Sequence, residues 1–164
     1  MKIEEMNSEN LKEVAKLYVK LVDFIKEDIG DAYFDYDSIS DKHFTEWLKT
    51  TIDDNNQVTY IVCNENEVIA FISGEIKDCF LPISSVKKVG YIIGAFVVND
   101  HRKQGITKKL EKKLVDFFDK KGISFVELNV ITANQLGMKA WESLGYQVFR
   151  NQMRKKYKKI STNQ

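Results

Sequence analysis

The most recognisable chemistry in the chain lies in a basic loop that leads into a predicted helix. The loop and the first helical turn read Arg102, Lys103, Gln104, Gly105, Ile106, Thr107 and Lys108. A helix N-terminus exposes unpaired backbone N–H groups, and a glycine lets a phosphate approach the backbone closely. The spacing fits neither a P-loop nor a dinucleotide fingerprint. It predicts a site for an anion, most simply a di- or triphosphate. A solvated basic helix whose glycine only eases a turn would show the same pattern.

A second charged segment, from Asp23 to Asp41, has the opposite sign. It holds seven acidic residues and one lysine, with Tyr33, Phe34 and Tyr36 among them. Charge runs are usually solvated surface, and that is one interpretation. The other is a wall that attracts a cationic amine, for which the candidate residues are Asp31, Asp35 and Asp37. The basic C-terminal run that contains Arg154 is interpreted as a solubilising edge strand.

The composition limits the classes of function. The chain has 164 residues, 43% of them hydrophobic, with 25 basic and 24 acidic side chains. We expect one domain over residues 1–164, and the near-neutral charge removes the general electrostatic argument for a nucleic-acid partner. No apolar stretch approaches the ~20 residues that cross a bilayer, and no signal-peptide core is visible. We therefore expect a cytoplasmic protein with no membrane partner, and the two cysteines lack the spacing of metal ligands.

Hydrophobic periodicity predicts the elements that position the charged segments. Apolar residues at helical spacing predict a helix from Leu11 to Ile25 with Ser8 as its N-cap, and a shorter helix from Ser40. Stretches rich in Val, Ile, Tyr and Phe predict three consecutive strands, at Val58–Cys63, Val68–Ile76 and Val89–Val98. A short leading strand at Lys2–Glu5 fits the same pattern.

Helices and strands alternate in the second half of the chain. The predicted order is a helix from Ile106 closed by Gly122, a strand Phe125–Ile131, a helix from about Asn134 ended by Gly145, and a last strand from Tyr146 to about Tyr157. Hairpin-linked strands followed by alternating elements predict an α/β (α+β) domain with a mixed, partly parallel sheet.

Two motifs in this frame carry a family resemblance. Arg102–Thr107 resembles the acetyl-coenzyme A signature of the GNAT superfamily of N-acetyltransferases, which is Gln or Arg, two residues, Gly, one residue, and Gly or Ala. Asn134 followed by Ala140–Tyr146 resembles the C-terminal segment of that family. The order and spacing of the two motifs both agree with the family. The resemblance implies a GNAT-like twisted sheet flanked by helices, and acetyl-coenzyme A as the cofactor.

The resemblance also implies how the chain would hold that cofactor. Backbone groups of Ala95, Phe96 and Val97, at the end of the fourth strand, would pair with the pantetheine arm. Gly94 fits a bulge that splays this strand from its parallel neighbour. The loop amides from Lys103 to Lys108 would hold the pyrophosphate, and Asn134 would contact the pantetheine arm.

At two positions where members of the family often have proton-transferring residues, this chain has a different residue type. Trp141 stands where many members have a Tyr that protonates the departing thiolate, which indole cannot do. We interpret Trp141 as a packing residue. Tyr91 stands where a Glu often acts as base through water, and it is our candidate catalytic acid or base.

The prediction for function is direct transfer of an acetyl group from acetyl-coenzyme A to a primary amine of a cationic small molecule or peptide. The alternative is a non-catalytic acyl-coenzyme A sensor or interaction module, which the absence of the family Tyr at Trp141 brings into consideration. The sequence leaves the oligomeric state undecided between a monomer and a homodimer.

Overall fold

A five-stranded sheet forms the centre of the computed structural model, which describes residues 1–36, 38–65 and 67–158. The strands lie side by side in chain order: β1 (Lys2–Glu5), β2 (Gln57–Asn64), β3 (Glu67–Asp78), β4 (Lys88–Val97) and β5 (Val126–Leu128). Pairing is antiparallel from β1 to β4, and β4 pairs with β5 in parallel. The predicted mixed, partly parallel sheet is confirmed.

Four helices flank the sheet, as the hydrophobic periodicity predicts. They are α1 (Leu11–Ile29), α2 (Asp41–Thr51), α3 (Ile106–Lys120) and α4 (Gln135–Ser143). Short 3-10 turns follow α1 at Ala32–Phe34 and β4 at Asn99–His101. Within the described residues, no helix has the length and apolarity needed to span a membrane.

The sheet is covered on both faces, so its central strands are buried. On one face, α1 and α2 pack Val14 and Leu48 against Phe71 of β3. On the other face, Leu114 and Phe118 of α3 pack against β2, β3 and β4. Burial on both faces explains why β3 has a run of seven buried residues from Val68 to Gly74 rather than an alternating pattern.

Close contact between α3 and the sheet depends on glycine. A Cβ added at Gly90 would lie 2.6 Å from the ring of Phe118, and one added at Gly74 would lie 2.8 Å from Leu114. Neither distance is tolerated by a well-packed core. These two glycines therefore set how closely the helix approaches β3 and β4.

Three predicted boundaries differ from the structure. The N-cap position of α1 is Asn10 rather than Ser8. The strand expected at Phe125–Ile131 is only the three residues of β5. The last strand, expected from Tyr146 to Tyr157, is absent, because that segment has no backbone partner within the described chain. Its residue types favour extended backbone, but a strand also needs a neighbouring strand to complete its hydrogen bonds.

Candidate functional site

An open cleft separates the end of β4 from β5. The two strands pair only from Gly90 to Ile92 on the β4 side. Against β3, Gly94 is opposite Ser73 and Ile92 is opposite the next residue, so Ile93 is the extra residue of a bulge. The bulge implied at Gly94 therefore lies one residue earlier. It bends β4 away from β5, because a bulge adds local twist and bends its strand.

The bulge leaves the backbone of the next three residues without a β5 partner. These residues, Ala95, Phe96 and Val97, are half-buried and pair with β3 on their other edge. An extended ligand could add to this free edge as a further strand does. Gly94 lets α1 approach here, since an added Cβ would lie 3.1 Å from the ring of Tyr18.

The basic loop ends at the N-terminus of α3, and no side chain caps that terminus. Gly105 holds the N-cap position in the left-handed conformation, with φ of 72°, and its carbonyl accepts from Lys109 at 3.2 Å. The preceding Lys103 is also left-handed, with φ of 62°. In such a terminus the amides of the first turn, from Ile106 to Lys108, have no helical partner. Successive amides in alternating conformations form a concave anion-binding site.

Two side chains attach the basic loop to the rest of the protein. Ile106 is buried in the core, so it can serve a ligand only through its backbone. Arg102 donates from Nε to the Val97 carbonyl at 3.0 Å. Its guanidinium carbon also lies 5.2 Å and 5.5 Å from the ring centroids of Phe24 and Phe96. Arg102 thus ties the loop to the end of β4, which fixes the uncapped helix end beside the free strand edge.

Asn134 lies at the N-cap position of α4. Its Oδ1 accepts from the Gly137 amide at 2.8 Å, so the side-chain carbonyl is used in capping. A Cβ at Gly137 would lie 2.8 Å from the Asn134 amide nitrogen, which explains the glycine. The structure therefore gives Asn134 a capping role, and its contact with the pantetheine arm stays a prediction.

A cavity of about 1210 Å³ lies beside β5. It is enclosed by the 3-10 turn after α1, the loop after β3, α4 and the segment 146–154. Its lining includes Asp31, Glu127, Trp141, Glu142, Tyr146 and Arg154. Trp141 packs edge-on against Tyr146 with ring centroids 5.4 Å apart, which is consistent with a packing role.

An ion pair between two residues that line this cavity corrects the interpretation of the basic C-terminal run. The guanidinium of Arg154 donates to both carboxylate oxygens of Asp31, once at 3.0 Å and once at closer range. It also lies 4.3 Å from the Tyr33 ring centroid. The run is therefore a segment docked on the acidic loop, not an edge strand.

The ion pair also changes the charge that the acidic wall presents. The guanidinium, with a further hydrogen bond from the Tyr33 amide, lowers the pKa of Asp31 to about 2. Asp31 is thus ionised at neutral pH and already has a cationic partner. Asp35 is exposed, and Asp37 lies outside the described residues.

Tyr91 occupies a row of polar side chains across three strands. It is opposite Glu75 of β3 and opposite Glu127 of β5. The Lys77 ammonium lies 3.0 Å from its ring centroid. Burial raises the pKa of the Tyr91 phenol, and the two carboxylates raise it further. At neutral pH Tyr91 is therefore a hydrogen-bond donor and not a base.

The two carboxylates were not recognised as site residues from the sequence. They are 52 positions apart in the chain, and only the strand register brings both to Tyr91. The sequence showed only that each of two predicted strands contains a Glu. It did not show which residues of the neighbouring strand lie opposite each Glu.

Comparison with known proteins gives a family and a fold. The sequence profile of the acetyltransferase (GNAT) family matches residues 21–146. No curated protein matches the chain by sequence. A variant of the BH1408 protein from Bacillus halodurans is 18% identical, with a TM-score of 0.84, and the alignment covers 96% of this chain and 99% of that one.

Two aminoglycoside acetyltransferases have the same fold. The aminoglycoside antibiotic 6'-N-acetyltransferase AAC(6')-IG from Acinetobacter haemolyticus is 16% identical, with a TM-score of 0.77 and coverage of 98% of this chain and 100% of that one. AAC(6')-Iy, in complex with the bisubstrate analog CoA-S-monomethyl-acetylneamine, is also 16% identical, with a TM-score of 0.75 and coverage of 96% and 97%. At such identities the similarity concerns the fold and not the substrate.

Proposed function

Because this chain belongs to the acetyltransferase (GNAT) family, we propose that it transfers the acetyl group of acetyl-coenzyme A to a primary amine. The observation that carries the proposal is the free edge of β4, which leads directly to the uncapped N-terminus of α3. One surface accepts an extended chain and the next accepts an anion. Pantetheine and pyrophosphate have this order in coenzyme A.

The residues present fit the cofactor. The amides from Lys103 to Lys108 would hold the pyrophosphate, with the left-handed Lys103 and Gly105 shaping the concave turn. The free edge at Ala95–Val97 would pair with the pantetheine arm. The amide nitrogen of Asn134 is a further donor toward that arm. When bound, acetyl-coenzyme A supplies the activated acetyl thioester.

We further propose that the transfer is direct. The amine attacks in its neutral form, and a backbone N–H near Val97 polarises the carbonyl oxygen of the acetyl group. Binding both reactants in one cleft makes the attack effectively unimolecular. No covalent enzyme intermediate is required by this route.

The acceptor in this proposal is a cationic small molecule or peptide amine. Support comes from the acidic segment 23–41, whose net negative charge attracts cations. Asp31 is already paired with Arg154, whereas Asp35 is exposed. The cavity of about 1210 Å³ has room for a small molecule or a peptide segment. The structural neighbours named as aminoglycoside acetyltransferases act on amines of this class.

The test is release of coenzyme A thiol from acetyl-coenzyme A in the presence of a panel of amines. The panel contains an aminoglycoside, a polyamine, a lysine peptide and a peptide with a free N-terminus. We expect at least one polycationic amine to support turnover above the rate without acceptor. Tight coenzyme A binding by calorimetry without turnover of any amine would contradict the proposal and favour a non-catalytic sensor.

A further inference from the structure

The polar row around Tyr91 lies on the face of the sheet that α3 does not cover. Val126 and Leu128, on either side of Glu127, pack against the core beneath α3. Side chains alternate between faces along a strand, so Glu127 points to the opposite face. The same argument applies to the other two strands, where Tyr91 follows Gly90 and Glu75 follows Gly74, the glycines beneath α3.

This row also lies at the closed end of the cleft. The Tyr91–Glu127 pair is next to the last pair before β4 and β5 separate. Glu127 lines the cavity beside β5. The Glu127 carboxylate therefore belongs both to the wall of the proposed acceptor cavity and to the strand pair at which the cleft begins.

Acetylation of an amine requires a proton acceptor close to the thioester. A primary amine is mostly protonated at neutral pH and has no lone pair for attack until a base removes one proton. Tyr91 cannot serve as that base, since it remains protonated itself. A carboxylate within hydrogen-bond reach, directly or through one water, can.

We propose that Glu127 accepts the proton that the acceptor ammonium loses before attack, and that Tyr91 and Glu75 hold the ammonium beside it. This assignment rests on the proposed function. The proton of R–NH3⁺ passes to the Glu127 carboxylate and then to solvent. The nitrogen lone pair forms the bond to the acetyl carbon, the carbon–sulfur bond breaks, and a second proton from nitrogen goes to the thiolate.

A side chain of the protein already shows that this position attracts a cation. The Lys77 ammonium lies over the Tyr91 ring at 3.0 Å from its centroid, an arrangement in which a cation is drawn to the aromatic face. The acceptor ammonium would replace it there. Three other charged groups act on Tyr91 or lie over its ring: Glu75, Lys77 and Arg150. The remaining charged or titratable groups that line the cavity with Glu127 are Asp31, Glu142, Tyr146 and Arg154.

The first measurement is the pH profile of kcat/KM with the best amine of the panel. We expect Glu127→Gln to lose about 100-fold or more near neutral pH, which is the usual contribution of general base catalysis. Without the base, kcat/KM should follow the fraction of free amine and rise about tenfold per pH unit up to the amine pKa, so the loss should narrow at high pH. Glu127→Asp should restore part of the rate. The matched control is Glu67→Gln, which removes an exposed carboxylate at the start of β3, away from the residues that line the cavity, and should leave kcat/KM within about threefold.

A second measurement needs neither cofactor nor turnover. In the unliganded protein, Glu127→Gln should lower the pKa of Tyr91 because it removes a neighbouring negative charge. Glu67→Gln, which removes a carboxylate that does not act on Tyr91, should leave the Tyr91 pKa unchanged. Carbon-13 tyrosine NMR titration, assigned with Tyr91→Phe, measures this.

The outcomes separate the two proposals. An active wild-type enzyme with an unchanged pH profile in Glu127→Gln would overturn the role of Glu127 and leave the acetyltransferase assignment intact. An unaltered Tyr91 pKa in that variant would refute the juxtaposition on which the role depends. A wild-type protein inactive with every amine would overturn both.

Discussion

Replacement of Gly105 by alanine separates the cofactor role of the α3 terminus from its role in stability. Gly105 is left-handed with φ of 72°, and no atom lies within 4 Å of the position a Cβ would occupy. The substitution therefore meets no steric clash inside the protein. It does impose backbone strain of about 1–2 kcal/mol, because an L-residue is disfavoured in this conformation. In a domain of this size that strain lowers Tm by roughly 2–8 °C.

The chain offers a matched control at the other end of the same helix. Gly122 also has φ of 72°, and its Cβ position is equally open. Gly122→Ala should cost about the same 1–2 kcal/mol, but it lies at the C-terminal end of α3, away from the proposed phosphate site. The difference between the two variants thus isolates the effect on binding.

The expected effect on coenzyme A is large and confined to Gly105→Ala. The added methyl group stands in the open space where a pyrophosphate would approach the amides. Loss of one charge-assisted hydrogen bond costs ~1.5–3 kcal/mol, which weakens binding by about 10- to 150-fold. Calorimetric titration with coenzyme A at a temperature where both variants are folded measures the ratio. Equal dissociation constants for Gly105→Ala and Gly122→Ala would refute the phosphate site, whatever the stabilities.

Three further predictions follow from the packing and the ion pair. Trp141→Phe should destabilise the fold by ~1–3 kcal/mol in denaturant titration yet keep turnover within a few-fold, because the indole packs and transfers no proton. Gly90→Ala should cost ~1–3 kcal/mol, since its Cβ would lie 2.6 Å from the Phe118 ring; an unchanged midpoint would contradict the close approach of α3. Arg154→Gln should raise the pKa of Asp31 from about 2 toward its usual range, as read by carboxyl NMR. Because the pKa of Asp31 is lower in the folded than in the unfolded protein, ionised Asp31 stabilises the fold at pH values above its unfolded pKa. The wild type should lose this stabilisation as the pH falls from about 4 to about 2, and Arg154→Gln should show no such loss.

Local patterns in the sequence were sufficient for most of the fold. The strands β2, β3 and β4 lie within two residues of their predicted bounds, because runs of β-branched and aromatic residues favour extended backbone wherever they can be buried. The helix α3, predicted to follow a turn that ends at Gln104 and to carry Ile106, begins at Ile106, because Gly105 permits the left-handed N-cap and the apolar stripe begins there. Each of these features depends on residues close together in the chain.

The segment from Tyr146 onward shows where such patterns fail. It begins with residue types that are common in strands, but Val148, Phe149 and Met153 remain 62%, 71% and 93% exposed. A strand needs hydrogen bonds from another strand, and whether one is within reach depends on the whole chain. The sequence carries no local sign of that partner.

By itself, the sequence determined which residues form the proposed anion-binding loop, because the loop, its glycine and the helix start are contiguous. Only the tertiary structure decided which carboxylates face Tyr91, since the β3–β4 and β4–β5 registers together place Glu75 and Glu127 on either side of it. It also decided that Asp31 is held by Arg154, 123 positions away. The physical reason is that strand register and ion pairing are set by packing between distant segments, and a shift of one residue would turn the same side chains to the other face.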